Sequence, residues 1–227
     1  MKNILFILFV SAGFTLSQNC YVESVVGKVK AQLGAGEKWE EVRAGEELPA
    51  YSIISTDKNS TAILVREKMK FNLKESAAVT VENIKKMSLD DLLLALAMED
   101  MMDAPRKKEE TKSKSTQVYG TPNKSEKIEV IAYGDFGLMR LNGAQQLGEN
   151  GFKESAIVAA KETYRKYPET KNMISQRIYF ADLLYEKGLF EEAYAEFSSF
   201  KNYAMNEKNK AEIGSKLELL SKKLINK

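Results

Sequence analysis

The residue types able to do chemistry are unevenly supplied in this chain. Its 227 residues include no histidine and a single cysteine, Cys20. That removes the usual general base at neutral pH, the usual orienter of serine and cysteine nucleophiles, and the commonest ligand of transition metals. Carboxylates are plentiful, 32 Asp and Glu against 34 Lys and Arg. No two of them, however, stand in the recognisable apolar setting that a carboxylate-only hydrolase needs. Gly34-Ala35-Gly36 lacks the Lys-Ser/Thr and the helix start of a phosphate-cradling loop, and reads as a hairpin turn. No catalytic, cofactor-binding or metal-binding residue is assigned, no cofactor is expected, and the chain reads as a non-enzyme. Near-balanced charge offers no excess to neutralise phosphates, so nucleic acid is not an expected partner.

Cys20 has no second cysteine to pair with inside the chain, so stability must come from packing. It follows Lys2 and an apolar run from Ile4 through Leu16, about 13 residues and too short to span a bilayer. Residues 1–17 read as a signal peptide, with Thr15-Leu16-Ser17 as the cleavage region. Leu16-Ser17-Gln18-Asn19-Cys20 resembles a degenerate bacterial lipobox, which implies lipidation of Cys20 as an alternative to simple secretion. Membrane contact is expected only through such an anchor.

Residues 20–87 alternate in hydrophobicity. Val25, Gly27, Val29, Ala31 and Leu33 fall on one face of what reads as one strand, and period two returns at Ala62–Arg66, at Met69, Phe71 and Leu73, and at Val79 and Val81. Turn clusters at Ala44-Gly45-Glu46 and Asp57-Lys58-Asn59-Ser60 separate the runs, as in a small all-β sandwich or barrel. Trp39 is expected to close the β core.

The run Val26-Gly27-Lys28-Val29, then Trp39, Val42, Gly45, Leu48, Ile53-Ile54-Ser55-Thr56, Ser60, Ala62, Leu64, Phe71 and Leu73 resembles the FecR-type extracytoplasmic domain. Signalling members of that family relay an outer-membrane signal through a membrane-crossing segment to a sigma factor. With no cytoplasmic domain ahead of the apolar run, the resemblance implies location and fold more than regulation.

Ser88, with an acid three residues on, opens an apolar, amphipathic helix over residues 88–104 whose apolar surface is broader than one stripe. Leu93, Met98 and Met101 on it are candidate partner-binding residues, methionine supplying an adaptable surface. Residues 105–127 lose all periodicity and hold seven basic against three acidic residues, a flexible charged linker.

Over residues 137–227, Ala144, Leu147, Gly151, Phe152 and Ala156 align with Ala181, Leu184, Gly188, Phe190 and Ala193, the two glycines 37 residues apart. This resembles the tetratricopeptide repeat, with a capping helix from Asn206 to Leu224. The resemblance implies a peptide-binding groove formed by the first helix of each repeat, lined by Leu141, Gln145 and Glu149, then by Ile178, Asp182, Tyr185 and Glu186.

The expectation is therefore an α+β multidomain chain, with a β sandwich or barrel followed by an array of helical hairpins. It acts as an exported, non-catalytic adaptor or scaffold in the bacterial envelope and binds protein, peptide or cell-wall polymer. The alternative is an accessory subunit of an envelope assembly or signalling system, with a structural FecR-like domain and a docking helix. A carboxylate-only hydrolase is a minor third.

Overall fold

The computed structural model describes residues 20–34, 38–104, 133–200, 203 and 205–225. The expected signal peptide (1–17) and charged linker (105–127) lie outside the described residues, so neither reading is tested.

Among the described residues eight strands form first: β1 (Cys20–Val26), β2 (Val29–Gln32), β3 (Trp39–Glu41), β4 (Glu47–Leu48), β5 (Ile53–Thr56), β6 (Thr61–Arg66), β7 (Met69–Leu73) and β8 (Ala77–Thr80). They make two four-stranded antiparallel sheets, in the orders β4-β1-β6-β7 and β3-β2-β5-β8. Cys20, Val22, Ala62, Leu64, Phe71 and Leu73 of the first sheet and Val29, Ala31, Ile54 and Val79 of the second are buried in the core, the inward half of each period-two pattern.

The single strand expected over Val25–Leu33 is two strands in two different sheets. Gly27 turns the chain between them at φ +76°, and a β-carbon there would stand 2.5 Å from the Ser60 hydroxyl. Gly27 occupies a position on the apolar face of the alternation, which makes a break look like continuity. The Ser60 hydroxyl accepts a hydrogen bond from the Lys28 backbone amide at 2.9 Å and holds the crossing in place.

At the end of β6, Arg66 is buried and donates to the carbonyls of Val81 (3.2 Å) and Glu82 (2.9 Å). It thereby satisfies the single 3-10 turn Val81–Asn83 that follows β8.

Helix α1 (Leu89–Asp103) opens on the expected capping box. The Asp91 amide donates to the Ser88 hydroxyl (3.1 Å) and the Ser88 amide to the Asp91 carboxylate (3.2 Å). Then come α2 (Tyr133–Glu149), α3 (Lys153–Lys166), a 3-10 segment Pro168–Asn172, α4 (Ile174–Glu186), α5 (Phe190–Ser199) and α6 (Glu207–Ile225). The turns at Gly151 (φ +88°) and Gly188 (φ +78°) repeat one hydrogen-bond pattern. Phe152 donates to Leu147 and Gly151 to Gly148, as Leu189 donates to Leu184 and Gly188 to Tyr185, a helix ending that needs a left-handed residue.

Helix α2 is laid directly on the sandwich. Gly143 rests on the β8 backbone, Arg140 donates to the Thr80 hydroxyl (2.8 Å), and Asn142 donates to the Ser76 carbonyl (2.8 Å). Two amides of the β7 edge donate to α2 and the turn after it: Lys74 to the Gln146 side chain (2.7 Å) and Asn72 to that of Asn150 (3.1 Å). The edge that would otherwise invite another strand is covered. Trp39 on the other edge meets Phe136 edge-to-face at 5.6 Å, and Phe136 meets Tyr167 at 6.0 Å. Buried residues of strands and helices form one continuous cluster.

Candidate functional site

A concavity lies where the sandwich meets α2. It measures about 850 Å³ and is walled on one side by the β1–β2, β5–β6 and β7–β8 turns through Gly27, Lys28, Thr56 to Ser60 and Ser76, and on the other by Asp135, Leu138, Met139 and Asn142. Two turn residues hold left-handed backbone, Asn59 at φ 55° and Ser76 at φ 52°, the first a type that tolerates it. The Asn59 amide is fixed by the Glu75 carboxylate (2.6 Å), and Asn142 is braced from behind by Gln176 (2.9 Å). Lys28 and Asp57 pair loosely at 3.7 Å. Lys28, Asp57 and Lys58 on the turn side thus face Asp135, Leu138 and Met139 on α2, so the cleft carries both charges and an apolar patch.

The residues assigned to a repeat groove are not brought together on one open surface. Leu141 of α2 and Ile178 of α4 are buried in the core and offer nothing to a partner. Gln145 donates to Glu149 (3.1 Å), which in turn pairs with Lys74 of the sandwich (3.0 Å). Asp182 forms an ion pair with Lys216 of α6, and the Tyr185 ring lies under the ammonium groups of Lys216 (5.7 Å) and Lys223 (5.4 Å). Glu186 pairs with Lys153 at 2.6 Å.

The candidates on α1 are placed differently. Leu92 and Leu96 are buried, and Arg165 of α3 grips Glu99 at 2.7 Å. Leu93, Leu94, Met98, Met101 and Met102 remain exposed. The helix is therefore not amphipathic in the ordinary sense, since apolar side chains occupy both its inner and its outer face.

Two buried cations support the helices. Arg140 is flanked by Glu162 (3.5 Å); burial works to raise the Glu162 carboxyl, but Arg140, Lys166 and Arg165 outweigh it and hold it below the usual carboxylate range. Arg177 donates to Glu196 (2.6 Å) and Ser199 (2.7 Å), with its guanidinium 4.5 Å from the centre of the Phe200 ring and 4.9 Å from that of Tyr203.

Cys20 is completely buried at the start of β1. Burial pushes its thiol up to about 11, against the opposing pull of Arg66 and a hydrogen bond from the Val65 backbone. A protonated, enclosed thiol is a poor nucleophile. Lipidation of Cys20, the alternative to simple secretion, would require this side chain to leave the core.

The junction cleft itself was not legible as a site. Asp57-Lys58-Asn59-Ser60 is visible as a turn, but nothing local announces that it will face residues 135–142. No protein-family model, no curated protein and no solved structure matches this chain.

Proposed function

We propose that this chain is an exported, non-catalytic adaptor of the bacterial envelope that holds an extended segment of a protein partner in the cleft between the sandwich turns and α2. In this reading the sandwich is a FecR-type domain and the helices are tetratricopeptide-like. The repeated hydrogen-bond pattern at Gly151 and Gly188 supports the second assignment, and the apolar run Ile4–Leu16 supports export.

The observation that carries the proposal is the composition of the cleft. Its volume, about 850 Å³, is of the order that buries a small ligand or a few side chains. The Leu138–Met139 patch suits an apolar anchor, and Lys28, Lys58, Asp57 and Asp135 suit a partner bearing both charges. The described lining includes no aromatic ring, which favours a peptide over a sugar polymer that would stack on one. Histidine is missing from the chain and its one thiol is enclosed, which favours binding over catalysis.

The test is a photo-crosslinking amino acid placed at Leu138 in intact cells, with Glu40 on β3 as the control position. An adduct to one identified envelope protein at Leu138 alone, lost on Lys58→Glu with Lys28→Glu, is the expected result. Equal labelling at both positions, or none at Leu138, overturns the reading.

A further inference from the structure

We propose that the cleft enclosed by α1, α3 and α5 binds a free α-amino acid with an apolar side chain, its carboxylate taken by Tyr164 and Lys161 and its ammonium by Asp100. This site shares no residue with the junction cleft and does not depend on what that cleft holds.

It is built around a donor without an acceptor. Tyr164 of α3 is 5% exposed, and among the described residues its hydroxyl has no hydrogen-bond partner. Leaving such a group dry and unpaired is unfavourable. Tyr164 borders a recess of about 250 Å³ that Asp100 of α1, Lys161 of α3 and Glu196 of α5 also line. Glu196 and Arg177, the charges that act on the hydroxyl, belong to the same lining, which sets the hydroxyl at the recess. Glu196 is committed elsewhere: Oε1 accepts from Arg177 at 2.6 Å and Oε2 from Lys161 at 3.4 Å. The phenol therefore awaits an acceptor from outside the chain.

The loosely held charges say which acceptor. Arg165 with Glu99 (2.7 Å) and Arg177 with Glu196 (2.6 Å) are close pairs. Lys161 is held only at 3.4 Å, Lys171 meets Asp103 only at 3.9 Å, and Asp100 has no ion-pair partner among the described residues. An inorganic anion would suit Lys161 but be repelled by Asp100, and a metal ion would meet the reverse. A molecule that bears a carboxylate and an ammonium two bonds apart satisfies both, with charge-assisted hydrogen bonds at each end.

The side chain has a place as well. A second recess, of about 230 Å³, borders the same Asp100, Lys161 and Glu196, and its other walls are Leu96, Leu184, Ala195 and Glu192. Leu96 and Leu184 are themselves buried. An apolar side chain directed toward them leaves water, whereas Glu192 repels an acidic one.

The experiment is isothermal titration calorimetry of the full chain with L-leucine, L-methionine and L-valine, each beside its N-acetyl and its amide derivative, and with L-glutamate. At least one of the three free amino acids is expected to bind, with its two derivatives and L-glutamate each weaker by about tenfold or more. Tyr164→Phe and Asp100→Asn weaken that binding by a similar factor. The thermal midpoint of ligand-free Tyr164→Phe stays level or rises, because only an unpaired oxygen has gone. No saturable binding, the result for a recess that holds only water, overturns the proposal. So does a derivative as tight as its free amino acid, binding unmoved by Tyr164→Phe, or a midpoint that Tyr164→Phe lowers, which would show the hydroxyl already partnered.

Discussion

A β-carbon at position 143 would lie 2.0 Å from the carbonyl oxygen of Ala78, so Gly143 is the point at which α2 touches the backbone of β8. No side chain separates the two elements there, and the contact is therefore sensitive to the smallest change.

Gly143→Ala should destabilise the protein by about 2–3 kcal/mol or more, because the clash is with main chain that has no rotamer to adjust. Gly214→Ala in α6, where no atom lies within 4 Å of the added carbon, should stabilise by about 0.5–1 kcal/mol through helix propensity alone. Urea denaturation of the two variants reads the opposite signs directly.

Arg177→Met should cost about 1.5–3 kcal/mol, since the half-buried Glu196 loses its guanidinium donors and keeps only Lys161 at 3.4 Å. Arg177→Lys should recover only part of the loss: an ammonium cannot reproduce the donors to Glu196 and Ser199 while lying over Phe200 and Tyr203. Chemical denaturation ranks the three proteins; equal stability of the lysine variant and the parent would remove the fork geometry from the account.

Stability should fall as pH rises from about 9 toward about 11. Burial raises the Cys20 thiol from 9.0 to about 11 in the folded chain, so over that window the unfolded state has released a proton that the folded state still holds. The contribution is complete below 9 and is lost as pH climbs through the folded value. Tyr179, pushed up to about 12 mainly by burial and then by Glu149 and Glu186, acts with the same sign at the upper end. The stability of Cys20→Ala measured against pH should decline less steeply than that of the parent over the same range.

Gln146→Ala should accelerate hydrogen exchange at the Lys74 amide, whose acceptor is the Gln146 side chain, and lower stability by about 0.5–1.5 kcal/mol. Exchange read by NMR, with the β6-bonded amides of the same strand as internal reference, separates a local opening from global unfolding.

Period two marked β6 and β7 correctly, because one face of each meets the core and the other does not: Ala62 and Leu64, then Phe71 and Leu73, are inward. The Ser88 capping box and the Gly151 and Gly188 turns were equally legible, being set by side chains within a few residues. The split at Gly27 was not, since a glycine in register with apolar neighbours looks like strand until the hydroxyl of Ser60 is seen beside it. Nor was the fate of the repeat face. Gly143 carries no local signal and becomes a necessity only against a strand some 65 positions earlier. Asp182 and Tyr185 look available until α6 covers them. Leu93, Met98 and Met101 could be singled out because an apolar helix with two wet faces betrays itself by composition.

The amides of Asn72 and Lys74 bond to side chains lying 78 and 72 residues further along the chain. A ribosome therefore delivers the sandwich long before it delivers what seals its rim. During that interval β7 is a bare template, and a nascent chain halted there would recruit strands from its neighbours. Completion of α2 acts as the stopper, so truncations that end between the sandwich and Gln146 should yield aggregates where the whole chain yields a soluble fold.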